Sequence, residues 1–118
     1  MQLLTQDLRN KLLANGRQQL PLRGTDGEID FLPVVKLFTP DAGATWLLTE
    51  IDPDDPDIAF GLCDLGLGCP ELGSVSLTEL AAVRGRLGLL VERDRHVTPG
   101  RALSAYAEEA RRLGRIQV

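Results

Sequence analysis

Cysteine, histidine, lysine and aromatic side chains are all scarce in this chain of 118 residues, which has two cysteines, one histidine, one tryptophan, one tyrosine and three phenylalanines. Cys63 and Cys69 are too few for the disulfide framework of a small secreted domain. They read as reduced thiols of a cytoplasmic protein. With His96 as the only histidine, any Cys–His or Ser–His catalysis would have to use it. No nucleophile signature such as G-x-S-x-G accompanies it, and a loop histidine reads as a surface residue. One histidine and two cysteines spaced C-x5-C fall short of a four-ligand zinc site. No catalytic residue, metal or cofactor is therefore expected. Five aromatics, the absence of a basic run and a pI of about 4.9 also argue against direct nucleic-acid binding. Unbroken apolar runs reach only four or five residues, against about 20 for a membrane helix. The first residues carry neither a basic segment nor the apolar stretch of a secretory signal.

What is present is ordinary for a globular chain: 43% hydrophobic and 25% charged residues, close to the roughly 45–50% and 25% of typical domains. The length suits one domain over residues 1–118. The net charge of −4 is unevenly spread. Residues 1–25 carry four bases against Asp7. Residues 26–71 carry eleven acids against Lys36 alone. Residues 72–118 carry eight arginines against five acids. An acidic middle of this kind can match a basic partner surface.

Thr5 as N-cap, Asp7 in the first turn and Leu4, Leu8 and Leu12 at four-residue spacing predict a helix over residues 5–15. Asn15-Gly16 offers a stop, or the helix continues toward Leu20 before Pro21 ends it. β-branched and aromatic runs at 33–38, 44–51 and 58–63, joined by short turns, predict an antiparallel meander. In the second run, regular alternation puts Trp46, Leu48 and Glu50 on one face and Leu47, Thr49 and Ile51 on the other. Ser74-Val75 is a possible short extended piece. Ser76-Leu77-Thr78-Glu79 has the form of a capping box opening a helix over 77–84. A last short strand is expected at 89–92, and a final helix capped by Ser104 with a Tyr106, Ala110, Leu113 stripe. The fold class is α+β: a three- or four-stranded, mostly antiparallel sheet with about three helices.

Four groups invite a chemical reading. Asp52, Asp54, Asp55 and Asp57 offer hard oxygen ligands, but the spacing lacks the glycine and glutamate of an EF-hand, and a solvated turn is the simpler reading. Gly66-x-Gly68 begins like a dinucleotide fingerprint, yet Glu71 stands where the third glycine belongs and no helix follows directly. Those glycines read as turn residues with positive φ. Lys36, the one base in the acidic middle, requires a carboxylate neighbour such as Glu50 or Asp64 if its strand is central. Trp46 reads as core or as a hydrophobic anchor.

The segments Pro33-Val34-Val35-Lys36-Leu37-Phe38, Ala44-Thr45-Trp46-Leu47-Leu48-Thr49-Glu50 and Phe60-Gly61-Leu62-Cys63-Asp64-Leu65-Gly66-Leu67-Gly68 resemble a small bacterial family. So do Pro70-Glu71-Leu72-Gly73, Ser76-Leu77-Thr78-Glu79-Leu80 and Glu92-Arg93-Asp94. It is domain-of-unknown-function family 2958, and the resemblance covers nearly the whole chain. It implies a short stand-alone protein of plasmids, integrative elements and phages, encoded near antirestriction and DNA-transfer genes, and it implies no activity. Gln6 stands where a helix-starting proline is common in that family, and Cys69 and Ser74 where aromatics are common.

Two function classes follow. One is an accessory interaction protein whose acidic surface engages a protein partner in host-defence or DNA-processing machinery. The other is a small enzyme or ligand-binding domain that gathers Lys36, Trp46, Glu50, Asp64 and Glu71 between the sheet and the glycine loop. Oligomeric state is left open by the sequence.

Overall fold

A computed structural model describes residues 3–118. Helix α1 spans Gln6–Gln19, with the Thr5 hydroxyl accepting from the Leu8 amide at 3.2 Å. The helix does not stop at Gly16. That glycine is buried inside it, so close to β2 that a Cβ would stand 1.8 Å from the Ile51 carbonyl oxygen. The glycine signal thus marks close packing of helix on strand. The chain leaves α1 through a 3-10 turn at Leu20–Leu22 containing Pro21.

Five strands follow in one sheet: β1 (Val35–Phe38), β2 (Thr45–Ile51), β3 (Ile58–Asp64), β4 (Glu71–Ser76) and β5 (Glu92–Arg93). Their order is β4-β3-β2-β1-β5, and every pairing is antiparallel. The meander of β1, β2 and β3 matches the sequence expectation, but the sheet exceeds three or four strands. β4 is a full partner of β3, in register from Ile58↔Ser76 to Cys63↔Glu71. As an edge strand it has little surface to bury, and Gly73 and two serines leave no apolar alternation to read. β5 lies later than the expected 89–92. It pairs with β1 through Leu37↔Arg93 and Phe38↔Glu92, while Leu90 forms an isolated bridge with Arg84.

Both faces of the sheet are covered. Val35, Leu37, Trp46, Leu48, Ile51 and Ala59 pack with Leu12 of α1 and with Leu77 and Leu80 of α2 (Leu77–Ala82). On the opposite face Leu47 and Leu62 pack with Leu103, Tyr106, Ala107 and Ala110 of α3 (Leu103–Leu113). Leu113, expected in that stripe, is exposed. Ser76 caps α2 as the capping box predicts, accepting from the Glu79 amide at 3.2 Å. Helix α3 starts one residue ahead of Ser104. Its N-cap is Ala102, which supplies no side-chain acceptor. Asp30 supplies it instead, accepting from the Ser104 amide at 3.1 Å and from the Ser104 hydroxyl.

Candidate binding site

The register of β2 against β3 shifts between Leu48 and Glu50, leaving Thr49 as an extra residue. This β-bulge reverses the face of everything after it. Ile51 joins Trp46 and Leu48 on the α1 side, and Glu50 pairs with Phe60 on the face that carries Leu47 and Leu62. The expectation that Glu50 shares a face with Trp46 is therefore corrected, because regular alternation cannot anticipate an inserted residue. The bulge is held in place. The Thr49 hydroxyl lies 3.3 Å from the Phe60 carbonyl and 3.2 Å from Glu50 Oε1, and Asn15 of α1 donates to the Thr49 carbonyl at 2.9 Å.

Glu50 is only 3% exposed. Two adjoining cavities of about 260 and 310 Å³ share Gln19, Glu28, Glu50 and Phe60 in their walls. Arg23 and Asp52 line the first, Asp30 and Phe31 the second, and among the described residues Arg23 is the only cation in either wall. The Arg23 guanidinium stands 3.8 Å from Glu50 Oε2, and its side chain is 42% exposed. Burial pushes the Glu50 carboxyl above its ordinary value, and Glu28 adds to the rise. The Thr49 hydroxyl, Arg23 and Gln19 oppose it. Gln19 also ties down the loop that carries these residues, donating to the Ile29 carbonyl and accepting from the Ile29 amide, both at 2.8 Å. Arg23, Gln19 and Phe60 carry no sequence signal for this role. They come together only through the helix extension and the bulge.

The other sequence candidates lie elsewhere. Lys36 pairs neither with Glu50 nor with Asp64. Its ammonium donates to the Val118 backbone oxygen at 2.9 Å and lies 3.5 Å from Asp94 Oδ2. Asp64 is 3% exposed and accepts from the amides of Gly66 at 2.8 Å and Ile116 at 3.0 Å. Lys36 and Asp64 thus hold the segment that follows α3 against the sheet. Trp46 is buried in the core on the opposite face, and Glu71 is exposed on the edge strand β4. Gly66 and Gly68 have φ of 79° and 85°, the turn conformations expected of them, and β4 rather than a helix follows. The five residues do not line a common cavity among the described residues.

Many of the acids in the middle of the chain act as fasteners for backbone. Asp57 accepts from the Thr78 amide at 2.9 Å and from the hydroxyls of Thr78 and Ser76, and these bonds hold its carboxyl below the ordinary value. Asp41 accepts from the amides of Leu87 and Leu89 at 2.6 and 3.2 Å. A smaller group stays open to solvent at the β2–β3 turn and the loop beside it. Asp26, Glu28, Asp54 and Asp55 are exposed, and Asp52 is half-buried at the cavity wall. Of these five carboxylates, Glu28 and Asp52 line the Glu50 cavity.

Among the described residues no helix is long and apolar enough to cross a membrane, and no group of three or more His, Cys, Asp or Glu side chains is placed to hold a metal ion. The family model described as protein of unknown function (DUF2958) matches residues 3–117. No curated protein and no solved structure matches the chain.

Proposed function

Because the chain belongs to the DUF2958 family of proteins of unknown function, we propose its role from its own geometry: an accessory protein that binds a basic surface of a protein partner through its acidic end. The partner class we favour is host-defence or DNA-processing machinery met by a mobile genetic element, the setting that the family resemblance suggests. The observation that carries the reading is the run of solvent-open carboxylates Asp26, Glu28, Asp54 and Asp55 on the loop and the turn that contribute Glu28 and Asp52 to one cavity wall, where Arg23 is the only lining cation among the described residues. A field of one sign at a concave site steers an oppositely charged partner and sets orientation more than affinity.

The test is capture of a basic partner from host lysate by the immobilised full chain at moderate salt. Replacing Glu28, Asp54 and Asp55 together by their amides is expected to abolish capture, while Glu71→Gln and Glu79→Gln together leave it intact. Equal capture by both variants would dismiss the acidic end as the docking surface. The alternative, a small enzyme or ligand-binding domain, draws support from Glu50 alone among its five residues, since Lys36 and Asp64 are engaged by the chain's own backbone.

A further inference from the structure

Resting on that reading, we propose that the cavity around Glu50 receives an arginine side chain of the partner, and that Arg23 occupies the same position in the unbound protein.

A guanidinium is best held by a carboxylate on which its fork can pair and a flat ring on which its face can stack. Glu50 and Phe60 provide these two surfaces as direct neighbours, because the bulge makes them cross-strand partners on one face. Such partners lie about 4.5–5.5 Å apart at Cβ. Between the two residues and the loop over them is unfilled volume: cavities of about 260 and 310 Å³, both bounded by Glu50 and Phe60.

Arg23 shows which chemistry this volume takes and how weakly it is held there. It is the chain's own guanidinium at that carboxylate. Yet its 3.8 Å separation from Oε2 exceeds hydrogen-bond length, and 42% of its side chain remains in water. It also enters from a segment open to solvent. Residues 23–28 are all exposed, and Gly24, at φ 76°, is fastened to Glu28 by one amide-to-carboxylate bond of 3.0 Å. A buried carboxylate whose cationic neighbour is loosely placed gains from a better-placed one. An arginine delivered by a partner can close to bidentate distance, stack on Phe60 and release Arg23 toward Asp26 and Glu28. Lysine lacks the fork and the flat face, so the site discriminates between two residues of equal charge. The sequence offers no hint of this, since Glu50 and Phe60 come opposite each other only through the extra residue at Thr49.

The test titrates the full chain with three short peptides, acetyl-Gly-X-Gly-amide with X as arginine, lysine or citrulline, and follows backbone amide shifts by NMR. Expected is saturable binding of the arginine peptide with shifts at Gly24, Glu50 and Phe60, at least tenfold weaker binding of the lysine peptide and none of the citrulline peptide. Arg23→Ala, which empties the position, is expected to tighten the arginine peptide at least fivefold. Glu50→Gln in that background is expected to abolish binding while the protein remains folded. Equal affinity for arginine and lysine, or no tightening on Arg23→Ala, would overturn the proposal. The two readings separate cleanly. Lysate capture that survives Glu50→Gln leaves the acidic end as the docking surface and eliminates the arginine receptor. Arginine binding lost on Glu50→Gln but unaffected by neutralising Glu28, Asp54 and Asp55 upholds the receptor without the wider surface.

Discussion

Glu50 stands directly across from Phe60, one position out of phase with the strand that carries it, because Thr49 is an additional residue in β2. This places a carboxylate that is 3% exposed on the face that carries Leu47 and Leu62. Its charged form is disfavoured there, so the folded protein binds a proton at Glu50 more readily than the unfolded chain does. The contribution to stability is therefore fully present below the ordinary value of 4.5 and is lost as pH rises through the higher folded value. Glu50→Gln cannot ionise and keeps an oxygen for the Thr49 hydroxyl. It is expected to unfold at a higher temperature than the parent at neutral pH, with the difference closing below pH 4.5. Thermal melts across that range check this, and an equal or lower melting temperature at neutral pH would contradict it.

Two glycines are required for space. A Cβ at Gly16 would lie 1.8 Å from the Ile51 carbonyl oxygen, and one at Gly61 would lie 1.9 Å from that of Leu47. Gly16→Ala should gain about 1 kcal/mol of helix propensity and lose more by forcing α1 off the sheet. The net loss expected is about 1–3 kcal/mol, as for other overpacked interiors. Gly61→Ala should lose at least as much. Gly73→Ala, with nothing within 4 Å of its Cβ, should stay within about 0.5 kcal/mol of the parent. Urea unfolding of the three variants gives the ranking.

Asp64 serves the fold by accepting from the Ile116 and Gly66 amides while buried. Asp64→Ala leaves both donors without that partner and is expected to cost about 1–3 kcal/mol. It should also accelerate hydrogen exchange at the Ile116 amide more than at amides inside β2. Glu71→Ala, on the exposed edge, should change neither. Unchanged protection at Ile116 in the first variant would refute the role assigned to Asp64.

Asp57 links the β2–β3 turn to the start of α2 through Ser76 and Thr78. Its folded carboxyl titrates below the ordinary 3.8 because these bonds favour the charged form. The stabilisation is thus present above pH 3.8 and fades as pH falls through the lower folded value. Asp57→Ala is expected to lower the melting temperature at neutral pH and to expose the Thr78 and Glu79 amides to exchange. A variant with native protection at both would show that Ser76 alone suffices.

Much of this fold is legible in the sequence, and the unread parts share a cause. The meander from β1 to β3 announces itself through β-branched and aromatic runs joined by short turns, and α2 because Ser76 and Glu79 sit three positions apart. β4 escapes notice because an edge strand with one half-covered face needs no apolar code. The end of α1 is obscured because Gly16 carries a spacing requirement from a strand more than thirty residues away. Lys36 is recognisable as a base that needs a partner, but Asp94 and Val118 reach it only through the tertiary fold. For the candidate site, Glu50 is identifiable from the residue itself. Phe60, Arg23 and Gln19 are not, since a one-residue bulge leaves no trace in hydropathy.

The N-cap of helix α3 is Ala102, which offers no side-chain acceptor to the first turn, and the missing acceptor is Asp30, seventy-four positions earlier than Ser104. A helix of eleven residues is marginal by itself in water. Its nucleation is thereby tied to arrival of the 23–31 loop, the same loop that roofs the Glu50 cavity. Loop and helix are then expected to melt in one concerted step, so that the proposed recognition surface does not persist once helix α3 has unravelled.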